Sequence, residues 1–152
     1  MKKWLTPYEC ARFHAMVRPY ARNPQVMQLK QYRQHRHTTT YDHCMRVAKL
    51  CFYLNHRLPL GADEKTLIAG AMLHDFYLYD WHRADDAPRL HGFRHPRIAS
   101  RNAYTVFRLG ERERGIIETH MWPLTLTKIP RSREAWLVCF ADKCCAVAEL
   151  IR

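Results

Sequence analysis

The sequence predicts an all-α domain, and three observations predict it: helix-start signals recur, apolar residues return at helical spacing, and strand-like alternation is scarce. At 152 residues the chain suits one domain, 1–152, able to bury a sizeable core. The helix signals mark about seven helices in a bundle.

Thr6-Pro7-Tyr8-Glu9 is a capping box with proline at the first helical position, so a helix begins there. Asn23-Pro24 repeats the signal before a short second helix, expected to end near His35. Thr40 is expected to cap a third helix, 41–57, whose apolar stripe runs through Val47, Leu50, Cys51 and Leu54. Asp63 opens a fourth, with Leu67, Ala71 and Leu78 on its buried face. Residues 80–94 lack a period, contain Pro88 and Gly92, and read as a loop. Pro96 then starts a fifth helix, a sixth covers about 111–121, and Ser132 caps a last one running through Leu150.

Composition narrows the function classes. No apolar run approaches the ~18 residues of a membrane span, and no apolar segment follows Lys2 and Lys3 before Pro7 and Glu9 as in a secretory signal. A cytoplasmic protein is expected. The six cysteines form no C-x-x-C pair, which disfavours a thiolate zinc knuckle and leaves free thiols. A net charge of +11 points to an anionic partner, but the arginines are scattered rather than gathered into one basic run. Nucleic acid is therefore a possible partner and not the favoured one.

The informative feature is polar residues set on apolar faces. His43 lies four residues before Val47 and seven before Leu50; His74 lies three after Ala71, with Asp75 beside it; Asp142 lies four after Val138 and four before Ala146. Buried carboxylates need counter-charges, and carboxylates converging with neutral imidazoles make a cavity for divalent metal ions.

This ordered set, in the segments TYDHCMRVA, AGAMLHDFYLYD and LVCFADKCCAVAEL, resembles the HD superfamily, named for its H…HD…D ligands. The resemblance covers about residues 40–150 and implies an all-α fold that hydrolyses phosphoester bonds in nucleotides and related metabolites. It also implies ligand roles. His43, His74, Asp75 and Asp142 would hold one ion, and His95, His120 and a bridging Asp75 a second, with Asp75 central to catalysis. From their positions, Arg94 and Arg97, flanking His95, are candidate clamps for substrate phosphate; Asp80, His82 and His91 are weaker candidates to line the pocket, and Lys143 to pair with a carboxylate. Histidine-rich ligation favours Mn, Fe, Co, Ni or Zn over Mg.

Two departures stand out. Leu78 occupies a position where many HD hydrolases carry lysine, and the signature of cyclic-dinucleotide HD-GYP enzymes is missing after His120. The expected function is metal-dependent hydrolysis of a small anionic phosphoester. Two other classes compete: a mixed-valent di-iron oxygenase of the same superfamily, and a non-catalytic nucleotide- or nucleic-acid-binding module. Oligomeric state is not legible.

Overall fold

The computed structural model describes residues 5–151. Seven α-helices are present among them: α1 (Pro7–Ala21), α2 (Pro24–Met27), α3 (Thr40–Arg57), α4 (Glu64–Leu73), α5 (His91–Phe107), α6 (Glu111–Thr119) and α7 (Arg133–Ile151). The one sheet described is a two-stranded antiparallel hairpin of β1 (Arg33–His35) and β2 (Thr38–Thr39).

The expected caps hold at four starts. Thr6 and Glu9 exchange hydrogen bonds as a capping box, Asn23 accepts from the Gln25 and Val26 amides, Asp63 accepts from the Thr66 amide, and Ser132 accepts from the Ala135 amide. Several boundaries differ from expectation. Thr39 caps α3 by accepting from the Asp42 amide, so Thr40 is the first helical residue. The second helix ends as a 3-10 turn at Gln31, and Arg33–His35 are extended. Leu78 lies beyond α4 with φ of +61°, although it still packs against the core. α6 ends at Thr119.

The fifth helix begins at His91, not Pro96. Its start is set by Leu90, which turns the chain through the left-handed region at φ +59°. Pro96 therefore sits inside the helix, where its lack of an N–H removes one intrahelical bond from the solvent-poor second turn.

α4 is the central element. Every residue from Thr66 to Leu73 is buried, as befits a helix apolar on all sides, and it packs against α1, α3, α6 and α7. Gly70 permits a close approach to α6: a Cβ there would lie 2.6 Å from Ile116. Because α4 is buried from Thr66 to its end, the chain leaving its C-terminus at His74 and Asp75 emerges inside the protein. No described helix is long and apolar enough to cross a membrane.

Candidate metal centre

All six residues marked by the sequence as prospective ligands meet at that point. His43 (α3), His95 (α5) and Asp142 (α7) project from within helices, while His74 and His120 are the C-cap residues of α4 and α6. Each is at least nine-tenths buried. Two helix C-termini thus end at the cluster, and their partial negative charge favours a cation there.

The histidines share one design. His74 Nδ1 is 2.8 Å from the Ala71 carbonyl, His120 Nδ1 is 2.7 Å from that of Ile117, and His95 Nδ1 is 3.0 Å from that of His91. A carbonyl only accepts, so each Nδ1 carries a proton, and in the neutral ring each Nε2 offers a lone pair. The first two bonds also satisfy carbonyls left open at the helix ends. His43 is oriented by a carboxylate instead: Glu149 Oε2 lies 2.9 Å from its Nδ1, while Arg46 donates to Glu149 Oε1 at 3.0 Å.

All four Nε2 atoms face the two aspartates. Asp75 Oδ1 is 3.1 Å from His95 and 3.5 Å from His120; its Oδ2 is 3.5 Å from His74 and 4.0 Å from His43. Asp142 Oδ1 is 2.9 Å from His43 and 3.6 Å from His74. Burial alone would raise both carboxyls, but the surrounding histidines hold them well below the usual carboxylate range. Burial disfavours the His43 cation too, yet hydrogen bonds to Asp142 and Glu149 outweigh it and push this imidazole up to about 10.

The donor set could hold metal ions. His74 Nε2 is buried with no hydrogen-bond partner, and the Nε2 atoms of His95 and His120 approach to 2.9 Å although each Nδ1 already has a carbonyl. Lone pairs brought together in this way call for a shared cation. Three donor groups, each with ligand atoms within 4.8 Å of one another, could hold an ion: His43, His74 and Asp75; Asp75, His95 and His120; and His74, His120 and Asp142, which spans the other two.

The profile of the HD domain matches residues 40–147. The chain belongs to the HD domain family. No curated protein and no solved structure matches it. The buried histidine and aspartate cluster of this HD domain is consistent with a metal-dependent phosphohydrolase.

The structure does not bring every candidate to the HD centre. Arg94 and Arg97 are exposed and do not line the cavity that opens onto the cluster. They follow His91 and flank His95 on a helix, so at about 100° per residue they point away from the inward face. Asp80 and His82 pair with each other at 3.3 Å near the surface. Lys143 does reach the cavity; its Nζ donates to the His120 carbonyl at 2.7 Å and lies 3.7 Å from Asp142 Oδ2.

Two residues with a part in the site were not marked by the sequence reading. Glu149 is one, and its signal was present: it follows Asp142 by seven residues on the same buried face of α7. Gln34 is the other. Its Nε2 donates to Asp75 Oδ2 at 2.7 Å, and its Oε1 accepts from the Tyr77 hydroxyl at 2.8 Å. The two short strands that carry it past the cluster leave no alternation to read.

Proposed function

We propose that this HD domain is a metal-dependent phosphohydrolase in which Asp75 is shared by two divalent ions. The division of the Asp75 carboxylate carries the reading: one oxygen faces His74 and His43, the other His95 and His120. His43, His74 and Asp142 would complete one site, and His95 with His120 the other. Mn, Fe, Co, Ni or Zn suits such imidazole-rich shells. Bound there, the ions would make water acidic enough to supply a nucleophile at neutral pH and would neutralise charge on the phosphoryl oxygens.

The chain's own contribution is orientation. Carbonyls and Glu149 orient the rings so that Nε2 points inward, and Gln34 donates a hydrogen bond to the Asp75 carboxylate. Lys143 places a positive charge on the cavity wall where a phosphate would lie. A small phosphorylated substrate in the cytoplasm belongs to the same proposal, and six free thiols agree with a reducing compartment.

Elemental analysis of protein from metal-replete medium, followed by phosphate release from a panel of phosphoesters, tests this. Asp75→Ala should lose both metal and activity, whereas Asp80→Ala should keep them. Less than about half an equivalent of any divalent metal, with none recovered on reconstitution, would overturn the proposal.

A further inference from the structure

The cavity above the cluster has a volume of about 710 Å³, enough for a drug-sized ligand. Its floor is the polar cluster, with Asp75, His95, His120 and Asp142 all reaching its lining. Its wall is different in kind. Trp81, Met121, Pro123, Leu124 and Ala146 line it beside Gln34, His35 and His91, and a Cβ on Gly92 would lie 3.2 Å from Leu124 Cδ2. Leu124 is still 47% exposed, so this apolar wall is not covered by the protein itself.

Cations are sparse in that wall despite the net charge of +11. Among the described lining residues Lys143 is the only lysine or arginine, and part of its charge is already directed at the His120 carbonyl and Asp142. A second and third phosphate would have to leave water for a surface offering no further counter-charge. One phosphate and an apolar body suit the cavity's two halves.

From this division we infer that the preferred substrate is a monophosphate ester of an apolar alcohol or phenol, its single phosphate on the histidine–aspartate floor and its carbon body against the wall built around Leu124. The inference rests on the phosphohydrolase reading and narrows it. Water adds its oxygen to phosphorus, the P–O ester bond breaks, and the departing oxygen takes up a proton, giving inorganic phosphate and the free alcohol or phenol.

The test compares 1-naphthyl phosphate, glycerol 2-phosphate and inorganic tripolyphosphate as substrates of the manganese-loaded protein with Mn²⁺ in excess. In parallel, 1-naphthylphosphonate and methylphosphonate, which cannot be hydrolysed at the ester position, are titrated by calorimetry. kcat/KM for naphthyl phosphate should exceed that for either other substrate at least about tenfold, the discrimination a modest apolar contact provides. Naphthylphosphonate should bind more tightly than methylphosphonate by a similar factor, and Leu124→Ser should shrink both ratios several-fold. Equal binding of the two phosphonates, ratios unmoved by Leu124→Ser, or preference for tripolyphosphate would overturn the inference. Selective phosphonate binding without hydrolysis of any ester would support the ligand class while defeating the phosphohydrolase reading, so the two can fail separately.

Discussion

Glu149 and His43, 106 residues apart in the chain, meet in a buried contact of 2.9 Å between Oε2 and Nδ1. The other ring nitrogen faces Asp142, so Glu149 sets both the proton and the aim of this imidazole. Glu149 lies just outside the 40–147 span that matches the HD domain, yet it is only 4% exposed and is itself held by Arg46.

Removing that charge should weaken metal binding without unfolding the chain. Glu149→Gln preserves size and one hydrogen-bonding oxygen, and is expected to lower metal affinity by about 10- to 100-fold. Competition with a calibrated chelator measures it. Arg46→Ala, which removes only a half-exposed partner of Glu149, should have a smaller effect in the same direction.

Metal uptake should be proton-linked. His43 is pushed up to about 10 and His74 is also raised, in each case against burial and by neighbouring carboxylates. Near neutral pH these rings bind protons that compete with an ion, so affinity should rise as pH rises toward about 10 and fall in acid. Calorimetry in buffers of differing ionisation enthalpy should show net proton release on binding; a pH-independent affinity would contradict the assigned donors.

His95 and His120 decide the number of ions. His95→Ala or His120→Ala should remove about one equivalent of metal and spare the other, because His43, His74, Asp75 and Asp142 remain. A full complement in both variants would reduce the centre to one ion. That outcome would also dispose of a di-iron oxygenase, whose chemistry needs paired irons.

The α4–α6 contact offers a prediction independent of metal. At Gly70 an added methyl meets three Ile116 side-chain atoms within 2.9 Å, so Gly70→Ala should destabilise by about 1–3 kcal/mol through overpacking. In a chain of this size that corresponds to a fall of several degrees in Tm, read by thermal melting of the metal-loaded protein.

Most of the centre was legible because its ligands sit on strongly periodic helices. His43 and Asp142 fall on faces shared with Val47 and Val138, and those faces are buried. What the sequence obscured lay at boundaries. Pro96 imitates a helix start, whereas the turn is made by Leu90 in a left-handed conformation that no residue-type preference announces. With α5 beginning at His91, His95 becomes an interior residue bonded one turn back, and its arginine neighbours are carried to solvent. The hairpin bearing Gln34 was hidden for another reason: its strands of three and two residues are fixed by contacts with the helices rather than by their own pattern.

The six cysteines of this chain are all unpaired, so no covalent bond ties its ends together. A metal held by the ligand set would do so instead. An ion gripped by both His43 and Asp142 would fasten positions 99 residues apart, the reach of a long-range disulfide. By the chain-entropy account, closing a loop of that length restricts the unfolded state by roughly 4–5 kcal/mol. The metal would then be a clasp as well as a reagent: one that forms without oxidation, that pH can loosen, and that a chelator can undo.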